Sequence, residues 1–168
     1  MKELGVYRFE EIIEVPIKDL FDYLNKDEHV LKWNSMIVEN IYEGSEDDIG
    51  EGSIVTTVQK IDKKVYSFEA ELIEYKPPYR ATMKTKTKEG TSITRYRLTP
   101  VGNSTKLEVE ASLIPSNWFY KILVKLTGWA SKYVFDEQYK NFVTYVYEQE
   151  NSIDEASNKN PQKEYMNS

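Results

Sequence analysis

The residue best suited by type to acid–base chemistry is His29, the only histidine of this 168-residue chain. A histidine that acts as a general base needs a carboxylate or a nucleophile held beside it. Asp27 and Glu28 are close in sequence, but they belong to a short surface helix and to no catalytic motif. A histidine metal site would also need further ligands. We interpret His29 as a solvated helix residue near a pocket rim, and we predict neither a metal nor a cofactor.

Glu69 and Glu71 are spaced as a pair of carboxylates on one face of a strand. Paired carboxylates can perform acid–base catalysis. The opposite face of the same strand is apolar and carries Tyr66, Phe68, Ala70 and Leu72. The alternation therefore predicts that both glutamates face solvent.

Two further charged groups could serve an enzyme only if they pointed inward. Arg95 shares a strand face with Arg97, and the pattern predicts pairing with acids of neighbouring strands on the outside of the sheet. If the inward and outward faces of this strand were reversed, Arg95 would point into the pocket and could contact an anionic ligand. Glu137 continues an apolar stripe of the last helix, but a carboxylate is rarely buried without a partner, so we predict that it is exposed.

The loop containing Gly44, Gly50 and Gly52 has the glycine content of a phosphate-binding loop but the wrong charge. It has no lysine and carries Glu46, Asp47, Asp48 and Glu51, which would repel phosphate. We interpret it as a flexible turn.

The overall charge and composition exclude several classes of function. The net charge of −6 disfavours nucleic-acid binding, which depends on lysine and arginine. The absence of cysteine excludes disulfides and thiol chemistry, and we predict a cytoplasmic location. The beginning of the sequence has no apolar signal region, and no apolar stretch is long enough to span a membrane.

The order of elements predicts an α+β protein in which an antiparallel sheet encloses a long helix. A first strand over Val6–Val15 is followed by two short helices, Ile17–Leu24 and Glu28–Trp33. Six strand-like segments then run from Met36 to Leu113, joined by short turns. A helical stretch, Asn117–Glu150, closes the domain. Such a sheet of about seven strands leaves space for an internal pocket.

The last helix shows a break in the phase of its apolar residues. Phe119, Leu123, Leu126 and Ala130 form one stripe, and a second stripe of Phe135, Tyr139, Phe142, Val143 and Val146 lies nearly opposite. We predict a bend, or two consecutive helices, near Thr127–Ala130. The second half would pack on the sheet, and the first half, with Trp118 and Trp129, would cover the open end of the pocket.

The final residues show no periodicity. We predict a single domain over residues 1–150 and a solvated, flexible tail over 151–168.

Several segments resemble one superfamily. Residues 13–24, Ile-Glu-Val-Pro-Ile-Lys-Asp-Leu-Phe-Asp-Tyr-Leu, followed by Trp33, are similar to its opening strand, proline and helix. Gly50-Glu-Gly52 resembles its glycine turn, and the stretch from Tyr139 to Glu148 resembles its closing helix. Residues 5–150 thus resemble the Bet v 1-like or START-like (SRPBCC) superfamily, most closely its polyketide cyclase/dehydrase-type members. The resemblance implies a helix-grip fold and binding of lipids, sterols, polyketides or quinones, with some relatives being enzymes.

We predict non-covalent binding or transport of a small, hydrophobic molecule between sheet and helix, and we favour this binding over catalysis. The predicted lining is Trp33, Tyr66, Phe68, Met83, Tyr96, Val109, Phe119, Leu123 and Leu126. Each of these side chains would equally suit a filled core. A cyclase or dehydratase using the same cavity and a protein-partner regulator, such as a modulator of a chaperone, remain alternatives. Contact of the segment Trp118–Trp129 with a membrane surface is a further alternative, because Lys121, Lys125 and Lys132 cluster opposite its apolar stripe.

Overall fold

A computed structural model describes residues 1–159, and the last residues of the predicted tail, 160–168, lie outside the described part. The strands are β1 (Leu4–Ile13), β2 (Ile37–Tyr42), β3 (Ile54–Ile61), β4 (Lys64–Lys76), β5 (Arg80–Lys86), β6 (Gly90–Val101) and β7 (Ser104–Pro115). The helices are α1 (Ile17–Asn25), α2 (Asp27–Trp33) and α3 (Trp118–Lys159), with a short 3₁₀ turn at Glu46–Asp48.

The seven strands form one antiparallel sheet in the order β1-β7-β6-β5-β4-β3-β2. Strands β2 to β7 each pair with the next strand in sequence; β2 and β3 are joined by the longer acidic loop over residues 43–53, and the later strands by short turns, as the turn residues predicted. Only β1 returns to pair with the last strand. The predicted α+β helix-grip architecture is confirmed.

The register of the strands defines which residues share the face that carries α3, here called the helix face. Tyr96 lies opposite Val109 of the core, and two residues earlier Thr94 lies opposite Met83, which in turn faces Leu72. Side chains opposite each other, and those two apart on one strand, lie on the same side of a sheet. The helix face therefore continues along β4 to Phe68, and Glu69 and Glu71 lie on the outer face, as predicted.

The corner formed by α1 and α2 is tied to the sheet by polar contacts. Asp27 accepts hydrogen bonds from Asn40 Nδ2 at 2.7 Å and from the Tyr42 hydroxyl at 2.8 Å, and its own backbone N–H donates to Glu46 at 2.6 Å. Because the first N–H groups of a helix have no partner within the helix, Glu46 satisfies one of them for α2. The acidic loop thus fixes α2 against β2.

A tight turn between β5 and β6 places the start of α3. Gly90 has a φ of +150°, and a Cβ atom there would overlap the carbonyl oxygen of Ile114 on β7. Glycine permits this close approach. In the adjoining segment Ser116 donates its backbone N–H to Glu89 O at 2.8 Å and its hydroxyl to Lys88 O at 2.9 Å.

Helix α3 runs without interruption from Trp118 to Lys159, so the alternative of two consecutive helices is wrong. Its second half packs on the sheet as predicted, and Phe142 and Val146 are fully buried. The first half differs from the prediction. Leu126, Trp118 and Trp129 are 69%, 69% and 78% exposed, so the stripe that was expected to cover a pocket faces solvent.

The helix also continues through residues 151–159, where the sequence predicted the beginning of a tail. All nine of these side chains are exposed. Apolar periodicity records burial against a neighbour, and a helical end that buries nothing leaves no such record. Lys159 lies 4.0 Å from Glu155, one helical turn away. Within residues 1–159 no helix is both long and apolar enough to cross a bilayer.

Candidate functional site

An aromatic cluster fills the space between β1 and the second half of α3. The ring of Tyr7 stacks on Phe135 at 5.0 Å and on Tyr139 at 5.8 Å, and Phe9 stacks on Tyr139 at 5.3 Å. The Tyr7 hydroxyl donates to Asp136 Oδ1 at 2.9 Å. Such ring pairs add stabilisation beyond the area they bury. These contacts hold α3 against β1, the edge strand of the sheet.

Two tyrosine hydroxyls meet inside this core. The Tyr96 and Tyr139 hydroxyl oxygens are 3.2 Å apart, and one donates to the other. Burial raises the pKa of both phenols, most strongly that of Tyr139. Both groups are therefore neutral at physiological pH and serve as a buried hydrogen-bonded pair rather than as a base.

His29 is not the solvated residue that the sequence predicted. Its Nδ1 atom lies 2.8 Å from the Tyr145 hydroxyl, and its ring stands edge-on to Tyr23 at 4.7 Å. Tyr23 in turn donates to Glu150 Oε1 at 2.7 Å. Burial lowers the pKa of His29. Helix α3 supplies the covering tyrosine from a distant part of the chain, which local sequence spacing does not reveal.

Three of the nine predicted lining residues belong to the filled core. Trp33 is buried, donates Nε1–H to Tyr23 O at 3.0 Å and stands edge-on to Phe142 at 5.0 Å. Val109 is fully buried, and Tyr96 packs against the same core. These residues pack around the second half of α3.

Three others lie on the far part of the helix face, with Met83 opposite Leu72 and so four residues along β4 from Phe68. Tyr66 is exposed, and Phe68 and Met83 are partly covered. The rings of Tyr66 and Phe68 are stacked, with centroids 6.1 Å apart and planes inclined by 19°, and we call this ring pair on β4 the aromatic platform. Across from it, Thr57 pairs with Phe68 and Val55 with Ala70, and both β3 side chains are half-buried. We define this stretch of β3–β5 as the open sheet face.

The position of α3 explains why this face is open. The helix lies along β1 and also contacts β7, α1 and α2. Strand β4 is three places from β7 in the sheet, which corresponds to about 14 Å at the usual strand spacing. Val55 and Thr57 were absent from the predicted lining, although alternation along β3 would have placed them there.

The remaining three predicted lining residues, Phe119, Leu123 and Leu126, lie in the first half of α3 and are exposed. The structure therefore does not gather all nine residues around one cavity. Three are in the core, three on the open sheet face and three on the solvent side of the helix.

Two surface concavities of the described residues combine charged and apolar side chains, and one of them is lined in part by Phe68 and Ile54. One, of about 490 Å³, lies on the outer face, where Lys84 pairs with Glu71 at 2.5 Å beside Glu69 and Lys86. Another, of about 230 Å³, lies between α1 and the acidic loop and contains Asp22, Glu46 and Asp47. Both carry several charged side chains, whereas ligand pockets for hydrophobic molecules are lined mainly by apolar groups.

The two charged groups whose inward placement would have favoured an enzyme point outward. Arg95 donates to Glu3 at 2.6 Å and to the Ser112 hydroxyl at 3.2 Å, on the outer face. Glu137 is exposed on α3. Among the described residues no group of three or more acidic or histidine side chains is arranged to hold a metal ion.

The sheet, the two short helices and the gripping last helix define a protein of the Bet v 1-like, SRPBCC class. Solved structures with this fold include Ara h 8.0201, which has 13% identity and a TM-score of 0.62, with 88% of this chain and 99% of that chain covered. SA2116, a protein of unknown function from Staphylococcus aureus, has 12% identity and a TM-score of 0.67, with 89% and 97% covered. TTHA0849 from Thermus thermophilus has 14% identity and a TM-score of 0.65, with 88% and 99% covered.

The chain belongs to the family described as activator of Hsp90 ATPase homolog 1-like protein, whose model matches residues 14–138. A search of curated proteins found no match. The superfamily resemblance is confirmed, and the polyketide cyclase/dehydrase subtype stays a prediction.

Proposed function

We propose that the chain binds a small, hydrophobic molecule on the open sheet face. The observation that carries this proposal is the nearly parallel pair of Tyr66 and Phe68, which lies on the helix face but outside the part that α3 covers. Burial of apolar area contributes about 25 cal/mol per Å². A hydrophobic molecule in contact with this ring pair would remove its exposed apolar area from water.

Several features of the site support a binding function rather than catalysis. The open sheet face carries aromatic, methionine, valine and threonine side chains, while the acidic pair Glu69 and Glu71 lies on the opposite side. Threonine and tyrosine hydroxyls would orient a ligand by hydrogen bonds, and the apolar groups would provide most of the affinity. The superfamily fold, in which the sheet bends around a helix, also supports a binding function.

The first test is native mass spectrometry of the purified protein beside a denatured sample. We expect a retained small molecule, released on denaturation. In parallel, the uncharged fluorescent probe N-phenyl-1-naphthylamine should bind saturably. Phe68→Ser should weaken its binding about tenfold, because it removes one ring of the platform.

The matched control is Val65→Ser, which removes an exposed apolar residue from the same strand but from its outer face. This variant should bind the probe as the parent does. An apo mass together with equal probe binding by both variants would contradict the proposal.

A protein-partner role is a second candidate, favoured by the family match over residues 14–138. The description of that family names an activator of the Hsp90 ATPase. We would measure the ATPase rate of purified Hsp90 with and without the chain, using lysozyme as the protein control. A rate above the basal value only with this chain would support the role, and an unchanged rate would oppose it.

A further inference from the structure

The first half of α3 presents its most apolar side to solvent. On a helical wheel, eight exposed side chains occupy one continuous arc of nearly half the circumference. This exposed arc consists of Trp118, Phe119, Ile122, Leu123, Leu126, Trp129, Tyr133 and Val134. The segment is about 25 Å long at 1.5 Å per residue. Contiguous apolar surface of this extent marks an interaction site.

The less apolar side of the first half of α3 faces the rest of the protein. Tyr120, Val124, Gly128 and Ser131 follow each other at helical spacing and are only partly exposed. They lie on the other side of the helix from Leu126. The two tryptophans are thus directed outward, while Gly128 and Ser131 face inward. The partly covered side of the helix therefore lies toward the rest of the protein, and the exposed arc is free to contact a partner.

Charge distinguishes among the partners that an apolar helix could take. Three lysines border the exposed arc on the side where Trp118 and Trp129 lie: Lys121, Lys125 and Lys132. The sequence from Ser116 to Phe135 contains no acidic residue, although the chain as a whole carries a net charge of −6. The basic groups are therefore concentrated beside the apolar surface.

We propose that the exposed arc docks this protein on an anionic lipid bilayer. An interfacial helix combines tryptophan, phenylalanine and leucine on one side with lysines at the border, and lies in the plane of the headgroups. Tryptophan suits this border because its ring is apolar and its N–H is polar. The lysine stems run along the apolar region while their ammonium groups reach the lipid phosphates.

A second copy of the chain fits the arc less well. A symmetric contact between two such helices would place the same side of each against the other. Each segment brings three lysines and no carboxylate, so the pairing would gather positive charge without compensation. An anionic bilayer supplies the opposite charge over the whole length of the helix.

The adjacent turn extends the basic border. Ser116 is hydrogen-bonded to the backbone of Lys88 and Glu89, which holds the β5–β6 turn beside the first residue of α3. Lys88 is exposed there, although Glu89 lies 3.7 Å from its ammonium group. Docking through the arc does not require the proposed ligand, so the two proposals can fail separately.

The test is flotation of the full chain with vesicles. One set contains equimolar phosphatidylglycerol and phosphatidylcholine, and the other contains phosphatidylcholine alone. We expect the protein to float with the anionic vesicles, and its tryptophan emission to move to shorter wavelength as Trp118 and Trp129 enter the headgroup region. Absence of flotation with anionic vesicles, or equal flotation with both sets, would overturn the proposal.

Two pairs of variants separate the apolar and the charged contributions. Leu126→Ala with Trp129→Ala should weaken vesicle affinity at least tenfold. Val65→Ala with Ile153→Ala removes two comparably exposed apolar residues elsewhere and should leave it unchanged.

Lys121→Gln with Lys125→Gln should weaken affinity for anionic vesicles about 25-fold, since each lysine near such a surface contributes roughly a fivefold factor. The control, Lys63→Gln with Lys64→Gln, alters two exposed lysines of the β3–β4 turn and should have no effect. An equal loss in the controls would overturn the proposal. So would a dimer in size-exclusion chromatography that Trp129→Ala dissolves, because the arc would then bind a second copy.

Discussion

The only histidine lies under the last helix rather than on the surface, and this position makes stability depend on pH. The Tyr145 hydroxyl is 2.8 Å from His29 Nδ1, and burial lowers the pKa of the imidazole below its ordinary value. Glu28, whose carboxylate is 3.7 Å from Nε2, opposes that shift but does not reverse it.

This depressed pKa predicts a loss of stability on mild acidification. Between the lowered folded-state pKa and the unfolded value of about 6.5, the unfolded chain binds more protons than the folded one. The free energy of unfolding should therefore fall as the pH decreases through about 6.5. Urea denaturation at a series of pH values checks this, and His29→Gln should remove the part of the slope that begins as the pH falls through about 6.5. A slope that persists in the variant would show that other groups cause it.

The buried tyrosine pair gives a second prediction at the residue scale. Tyr139→Phe should lower the free energy of unfolding by about 1–3 kcal/mol, because the Tyr96 hydroxyl is left buried without its partner. The double variant with Tyr96→Phe should recover most of this loss, since no unpaired hydroxyl remains. Denaturant titration of the two single variants and the double variant completes the cycle. Additive losses would show that the hydroxyls are not coupled.

At the scale of the element, α3 is one continuous helix with two different environments. Its second half is covered by β1 and the α1–α2 corner, whereas its first half carries the exposed arc. The change in apolar phase that the sequence analysis identified is real. It records a change of partner, from solvent to sheet, rather than a break in the backbone.

This difference predicts unequal effects of truncating side chains along the helix. Phe142→Ala should cost about 3–5 kcal/mol of stability, because the ring is fully buried. Leu126→Ala should change stability by less than about 0.5 kcal/mol, because its side chain is 69% exposed and alanine favours helix. Urea denaturation measures both. A large loss for Leu126→Ala would mean that the first half packs as the sequence predicted.

At the scale of the whole molecule, the last residues of α3 extend beyond the hydrophobic core. Tyr145 and Val146 are buried and Glu150 receives the Tyr23 hydrogen bond, but residues 151–159 are all exposed. We therefore propose, as the sequence suggested, that the folded domain comprises residues 1–150.

Removal of residues 153–168 should leave the free energy of unfolding within about 0.5 kcal/mol of the parent, since the removed residues of the described helix bury nothing. Chemical denaturation of the truncated chain measures this. The comparison variant, Glu150→Gln in the full chain, should be the more destabilised of the two, because it weakens the bond from Tyr23. A larger loss for the truncation would contradict the domain boundary.

The elements and much of the core were predictable because they depend on local patterns. Alternation along β4 separated Phe68 from Glu69, and the spacing of Tyr139, Phe142 and Val146 identified the buried side of α3. These patterns report burial between neighbouring elements. The candidate site was less predictable. Phe68 and Leu126 are equally suited to a lining by type, yet one lies on the sheet and the other faces solvent.

The order of elements, the antiparallel sheet, the outward acids of β4 and the charge that disfavours nucleic acid all follow from local patterns and composition. The position of α3 along β1, which leaves the open sheet face uncovered and turns two tryptophans outward, follows only from the three-dimensional packing. Side-chain periodicity states that a helix has an apolar side. It does not state which surface that side meets, because this depends on packing between residues far apart in the chain.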